Sequence, residues 1–417
     1  MSFEIDRISY LPERAIESIL LCLSMTDVVR TSALSRQWRY RWNSLSELRF
    51  EVKNRWYVQK REVLNVVDHV LLLHYGPLNT FVLSLPCIKS FPEINRWIIF
   101  VTSKKVRSIT IEIYEGKPFK LPSQLCSPTL YHLNLYKCKF PPSHTFKSFT
   151  NLRSLYLKSI PFNGNELENL ISNCPLLNDL RLVNVKYCHS LKINAPNLQH
   201  IEILGHLKDL VFEDTKRLRV VLLNVKMDTE PSGHKRLPEF LSALPVVEKL
   251  ETTGFLEHFV VKNVPDIPPL ICAHLKWLSI QVKFHNPEAV LATLLMFKCL
   301  PNLEQLRIES LDTLYEDESN ENLLAAYYFM DLPFNELKYV TITKFCAWKV
   351  EVDLIRLLLI NSPLLEKLKI QYVLYNEGTE VLKELMQFKR VSGQTQILFE
   401  NKEYQRMAKK CRENNYV

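Results

Sequence analysis

The sequence predicts an α/β chain: a short helical segment at the N-terminus, followed by a long array of strand-and-helix units. Three observations predict it. A leucine-spaced hexad recurs along the chain, the intervals between copies carry helical apolar spacing, and the first forty residues carry helical spacing without the hexad. Leucine supplies 67 of the 417 residues.

The hexad is L-x-x-L-x-L, with Ile, Val or Phe admitted. Clear copies are Leu130/Leu133/Leu135, Leu152/Leu155/Leu157, Leu177/Leu180/Leu182, Leu198/Ile201/Ile203 and Leu218/Val221/Leu223. They continue at Leu275/Leu278/Ile280, Leu303/Leu306/Ile308, Leu337/Val340/Ile342 and Leu365/Leu368/Ile370. Weaker copies are Leu45/Leu48/Phe50, Leu78/Phe81/Leu83, Val106/Ile109/Ile111 and Val247/Leu250/Thr252. From Leu78 onward the first positions stand 20 to 34 residues apart, mostly in or near the period of leucine-rich repeats. In a short strand alternate residues point inward, so the fourth and sixth positions bury while the first anchors the entering turn. One unit cannot cover its own apolar face, so neighbours stack into a curved solenoid, an irregular leucine-rich-repeat horseshoe.

The intervals support this reading. Leu167, Leu170 and Ile171 before Asn173-Cys174-Pro175, and Leu291, Leu294 and Leu295 before Cys299, have helical spacing. Helices therefore lie behind a parallel strand row. Cys138 takes the Asn/Cys position of the repeat, three residues after Leu135. The longest step holds an acidic run in which Glu309, Asp312, Glu316, Asp317, Glu318 and Glu321 face no basic residue, which reads as an exposed inserted loop.

Composition narrows the function. With eight glycines, the chain contains neither GxGxxG nor GxxxxGK[ST], and neither GxSxG nor HExxH. These absences point to a non-catalytic protein without a cofactor. The 53 Lys and Arg exceed the 45 Asp and Glu by eight, but the excess is spread along the chain and reads as solvated surface rather than a nucleic-acid stripe. The ten cysteines include no CxxC pair, so no metal site is expected, and most should serve as small buried hydrophobes. The first residues are acidic and lack an apolar signal core. The most apolar stretch, 63–73, is broken by Asn65, Asp68 and His69. A cytoplasmic or nuclear protein with no membrane partner is expected.

The N-terminal segment reads as three short helices. Pro12 suits a first helical turn, and Ile16, Ile19, Leu20 and Leu23 form an amphipathic face. Thr26 with Asp27 can cap a second helix carrying Val28, Val29 and Leu34. Ser35 can cap a third presenting Trp38 and Trp42. Such a bundle is too small to stand with its apolar faces uncovered, so a partner or the adjoining solenoid must cover part of it.

This segment resembles an F-box of the plant F-box/LRR/FBD type, through Asp6, Ile8, Leu11, Pro12, Thr31, Ser32, Leu34, Ser35, Trp38, Arg39 and Trp42. Glu13 and Met25 depart from the residues usual there. Residues 190–205 resemble the family's mid-repeat, and 335–370 its terminal FBD module, with Glu351 in the acidic place before a helix and Asn361, Pro363, Leu365 and Glu366 matching the closing motif. The resemblance implies an F-box (1–50), a connecting helical segment (51–75), leucine-rich repeats (76–334), FBD-like terminal repeats forming a cap (335–400) and a basic tail (401–417). A final edge strand is expected near 397.

For function the resemblance implies the substrate-recognition subunit of an SCF-type ubiquitin ligase, docked on a Skp-type adaptor and through it on a cullin. The alternative is an F-box scaffold working outside the ligase. The implied adaptor contacts are Leu11, Pro12, Ile16, Ile19, Leu20, Val28 and Leu34, with Trp38 and Trp42 in the F-box core joining it to the solenoid. Positions flanking the buried pairs face the concave side. Tyr156, Arg181, Trp277, Arg307 and Tyr339 are the candidate substrate contacts there, aromatics and arginine having hot-spot composition.

Overall fold

The computed structural model describes residues 8, 10–51, 60–87, 92–162, 165–227, 237–253, 272–311, 332–372 and 378–401. Asp6, the acidic run from Asp312 to Glu321 and the basic tail lie outside these residues. The chain divides into two compact units, 1–186 and 187–417.

Among the described residues up to 50, two α-helices form rather than three. Helix α1 (Glu13–Leu21) follows Pro12, and α2 (Met25–Arg30) is capped by Ser24, whose hydroxyl accepts the Asp27 N–H at 3.2 Å. The expected cap at Thr26 is thus two residues late. The expected third helix is replaced by 3-10 turns at Thr31–Ala33 and Arg41–Ser44. Ser32 explains why: its hydroxyl accepts the Trp42 indole N–H (2.9 Å) and donates to the Arg39 carbonyl (2.8 Å). An α-helix would offer that carbonyl to Asn43, whose N–H instead bonds Tyr40.

Every copy of the hexad is a strand or enters one, and all three of its positions are buried in all thirteen copies. The first unit holds β1 (Glu47–Glu51), α3 (Lys60–Leu73), β2 (Thr80–Cys87), α4 (Pro92–Ser103), β3 (Ser108–Glu115), β4 (Phe119–Lys120), β5 (His132–Tyr136), β6 (Cys138–Lys139), β7 (Ser154–Lys158), α5 (Glu166–Ser172) and the start of β8 (Asp179–Ile193), which runs on past residue 186. Strands β1, β2, β3, β5, β7 and β8 pair in that order, all parallel, while β4 and β6 form a separate ribbon.

The second unit holds β9 (His200–Phe212), β10 (Val220–Met227), α6 (Leu237–Ser242), β11 (Lys249–Thr253), β12 (Trp277–Val282), α7 (Pro287–Lys298), β13 (Gln305–Ser310), β14 (Tyr339–Phe345), α8 (Lys349–Asn361), β15 (Lys367–Tyr372), α9 (Gly378–Gln387) and β16 (Gln396–Asn401). Strands β9 to β16 again pair in sequence order and parallel. A strand does form at 396–401, half-buried along its inward positions.

The repeat carries a backbone signature as well. Lys137, Ser159, Asn184 and Lys344, each seven residues after the first leucine position, take φ of 53° to 57°. Lys137 and Ser159 stand directly after their strands, whereas Asn184 and Lys344 lie within β8 and β14, the latter where the register shifts between Thr343 and Phe345; the Ser159 N–H reaches across to the Val183 carbonyl at 2.8 Å. Asparagine tolerates this left-handed region, whereas lysine and serine pay about 1 kcal/mol for it.

Buried thiols behave as the composition suggests. Cys138, Cys174, Cys272 and Cys299 are buried, and the Cys174 and Cys299 thiols donate back to the Leu170 and Leu295 carbonyls. Burial pushes the Cys174 thiol up to about 12 and Cys272 up to about 11, so neither supplies a thiolate near neutrality. Glu351 corrects one expectation: it lies inside α8, not before it. Its carboxylate accepts the Cys346 and Trp348 N–H groups at 3.0 and 3.1 Å and so caps the helix start from the third helical position.

The N-terminal segment is tied to the first repeat through backbone. Tyr75 and Gly76 N–H groups point at the Asn43 carbonyl, and the buried His74 Nε2 donates to the Leu45 carbonyl at 2.8 Å. Gly76 is fixed by this approach, because a Cβ there would lie 2.7 Å from Ser44 Cα. No flexible side chain can yield, so Gly76→Ala should destabilise the first unit by about 1–3 kcal/mol. Thermal unfolding checks it; an unchanged melting temperature would mean that the junction can shift freely.

Candidate functional site

Two surfaces stand out. The first is the N-terminal module. Of the seven residues expected to touch an adaptor, Leu11 (37% exposed), Ile19 (41%) and Leu34 (69%) are open to solvent, as is Pro12. Ile16, Leu20 and Val28 are only 1–2% exposed in this chain alone. Helical spacing brings them to the inner face of the module, where Ile16 and Leu20 also line an open groove beside α1. Ile8, Tyr10, Leu23 and Tyr40, which were not singled out as contacts, extend the exposed apolar surface.

Trp38 and Trp42 are buried, and the Trp42 ring lies 6.1 Å from the His69 ring of α3. An open groove of about 670 Å³ runs beside α1, lined in part by Glu13, Glu17, Tyr40, Arg41 and Tyr75. Glu17 closes one wall by accepting the Ser46 hydroxyl at 2.7 Å.

The second surface is the polar face of the repeat strands. In the first unit Tyr156 and Arg181 stand side by side in register on β7 and β8, and Arg181 pairs with Asp179 at 3.2 Å. In the second unit Lys249, Trp277, Gln305, Tyr339 and Lys367 form one continuous row across five strands. Arg307 lies in the next row, between Ser279 and Thr341. Trp277, Arg307 and Tyr339 thus come together on adjacent strands of one face. The Lys249 ammonium sits 4.2 Å from the Trp277 ring centroid, and the Tyr339 hydroxyl donates to Glu366 at 2.7 Å.

Sequence reasoning missed a charge ladder at the strand entrances. Arg219, Glu248, Lys276, Glu304, Lys338 and Glu366 follow the first leucine positions of successive repeats and alternate in sign. Arg219 pairs with Glu248 at 2.8 Å and Lys276 with Glu304 at 2.9 Å. The signal was available: each is the residue directly after the hexad's first position. Exposed pairs of this kind stabilise little singly, but opposite signs on adjacent strands favour the observed register.

Glu309 also differs from expectation. It belongs to β13, not to an unpaired acidic loop, and meets Lys344 at 2.7 Å and Gln281 at 3.1 Å. Burial alone would raise its pKa, but the hydrogen bonds from Lys344 and Gln281 and the charges of Lys344 and Arg307 outweigh this and hold it below 4.5. A depressed carboxyl contributes stability that is present above the unfolded value and lost as pH falls through the folded one. Glu309→Gln should therefore flatten the loss of stability below about pH 4.5, measured by urea unfolding at neutral and acid pH. An acid limb identical to wild type would contradict the pairing.

A helical module leading into parallel leucine-rich strands, with exposed apolar side chains on the module and a polar face on the strands, is an arrangement suited to protein contacts. Comparison with known proteins gives the family. Residues 8–50 match the F-box domain, and residues 94–308 match the LRR repeats of FBD-associated F-box protein At5g56370. The chain is 34% identical over 415 residues to F-box/FBD/LRR-repeat protein At1g13570 of Arabidopsis thaliana, covering 94% of this chain and 98% of that one. It is 28% identical over 314 residues to the putative FBD-associated F-box protein At5g56400 of the same plant, covering 67% and 68%. With F-box/FBD/LRR-repeat protein At1g78750, also of Arabidopsis thaliana, it shares 26% identity over 464 residues, covering 95% and 97%. The chain belongs to the F-box/FBD/LRR-repeat family. Its matched modules are non-catalytic.

Proposed function

We propose that this chain is the substrate-recognition subunit of an SCF-type ubiquitin ligase, acting in the cytoplasm or nucleus. Its F-box docks on a Skp-type adaptor through Leu11, Pro12, Ile19 and Leu34, and the adaptor joins it to a cullin. The repeats stack as a horseshoe closed by an FBD cap over about residues 335–400. Their polar face, around Trp277, Arg307 and Tyr339 with a further contact at Tyr156 and Arg181, holds a protein substrate. No residue of this chain does covalent chemistry; it raises the effective concentration of a substrate lysine near the charged conjugating enzyme.

The observation that carries the reading is the exposed apolar surface on the matched F-box. Tyr10, Leu11, Ile19 and Leu34 remain open although Ile16, Leu20 and Val28 have found a core. Large apolar side chains left exposed together on one small module are what a protein contact would cover. Capture of the tagged chain from plant cells, with the proteasome inhibited, should recover adaptor and cullin together with a substrate. Adaptor without cullin would favour the second reading, an F-box scaffold outside the ligase; no adaptor at all would remove both.

A further inference from the structure

We propose that the polar face of β11 to β15 binds an extended acidic peptide segment, seated on Trp277 and Tyr339 and held by Lys249, Arg307 and Lys367. This deepens the receptor reading, on which it rests, by naming the chemistry of the substrate.

The charges of this face are unevenly committed. Glu309 is held by Lys344 and Gln281, and Glu400 of β16 by Lys369 at 2.8 Å and Gln371 at 3.1 Å. At the strand entrances Glu248 is held by Arg219 and Glu304 by Lys276, while Glu366 accepts the Tyr339 hydroxyl. Glu251, two residues from Lys249, is the remaining acid of these strands' polar face. Among the described residues no carboxylate lies within ion-pair distance of Lys249, Arg307 or Lys367. Lys249 is instead positioned over the Trp277 ring. Three cations outside any ion pair, two of them also acting at longer range on Glu309 and Glu400, therefore form one patch with two aromatic rings and the Gln305 amide.

The register sets the spacing of a ligand. Neighbouring strands stand about 4.8 Å apart, so Lys249 and Arg307 are two spacings apart across the sheet, about 10 Å, with Arg307 one row further along its strand, and Lys367 lies a further 10 Å across, back in the row of Lys249. An extended chain crossing the strands advances about 3.3 Å per residue and covers that interval in about three residues. Side chains of an extended chain alternate in direction, so on a chain lying between the two rows acidic residues at i and i+6 lean toward Lys249 and Lys367 and one at i+3 leans toward Arg307. Intervening apolar residues rest on Trp277 and Tyr339, which supply rigid contact area, while Arg307 can bind a carboxylate bidentately. A nucleic acid also carries anions and stackable rings. Its backbone demands a longer run of cations than this face offers between Glu251 and Glu366.

The test uses the full chain and a fluorescein-labelled nine-residue peptide with Glu at the second, fifth and eighth positions. A matched peptide with Lys there, and oligothymidine of equal length, are the comparisons. The acidic peptide should bind at least about tenfold more tightly than the lysine peptide, and its affinity should fall with added salt. Arg307→Gln with Lys367→Gln should weaken it about tenfold or more, and Arg307→Glu should shift preference toward the lysine peptide. Equal binding of the two peptides, or tighter binding of oligothymidine, overturns the proposal. Adaptor co-purification of the same preparations separates the two readings. A chain that holds the adaptor and ignores the acidic peptide loses this proposal alone; one that binds the peptide and no adaptor loses the ligase reading and keeps the acidic ligand.

Discussion

Pro12→Ala combined with Ile19→Asp abolishes co-purification with a Skp-type adaptor and leaves the repeats folded. Both residues are open to solvent in this chain, so the change removes little of its own packing. Ile19 lies on α1 between the buried Ile16 and Leu20 and projects from the outer side of the helix. Covering such a side chain in an interface contributes about 1.5–3 kcal/mol, and an aspartate there must instead be desolvated without a partner. The combined penalty weakens the complex by well over a hundredfold. Pro12 fixes the approach to the helix, and its loss frees the chain bearing Leu11. Melting of the double variant should match wild type. Undiminished adaptor binding by a folded double variant would sink the proposed docking through this surface.

Leu180→Asp unfolds the first unit, while Arg181→Gln, an equal change of charge one residue on, does not. Leu180 is fully buried in β8, in register with Leu155 of β7, so an aspartate there would be a charge without a partner in an apolar core. Such substitutions cost more than about 4 kcal/mol, a large share of the stability of any domain. Arg181 is exposed, and its loss removes one surface pair with Asp179, at most about 1 kcal/mol. Hydrogen exchange across β2 to β8 distinguishes the two. Equal effects at both positions would contradict the assigned register.

The strands were legible in the sequence because their burial is periodic. Leu133 and Leu135, or Leu278 and Ile280, must face inward together, and the polar residues between them must face outward. That same alternation placed Trp277, Arg307 and Tyr339 on one face before any coordinates. The F-box turns were not legible. Ser35, Trp38 and Trp42 have helical spacing, but Ser32 takes the Arg39 carbonyl out of helical use, a contact between residues seven apart that no periodicity reports. The inner and outer sides of α1 could not be told apart either, since Ile16 and Ile19 are both apolar. Only the fold around them decides which is spent inside. The pairing of Glu309 with Lys344 escaped notice for a related reason: the two meet across neighbouring strands from 35 positions apart in the chain.

The most direct test of the account is the mass of the complex formed when the full chain is co-expressed with a Skp-type adaptor, measured by light scattering on a size-exclusion column. The account predicts one species containing one copy of each chain, which dissociates in the Pro12→Ala/Ile19→Asp variant. Separate elution of the folded wild-type chain and the adaptor would contradict it.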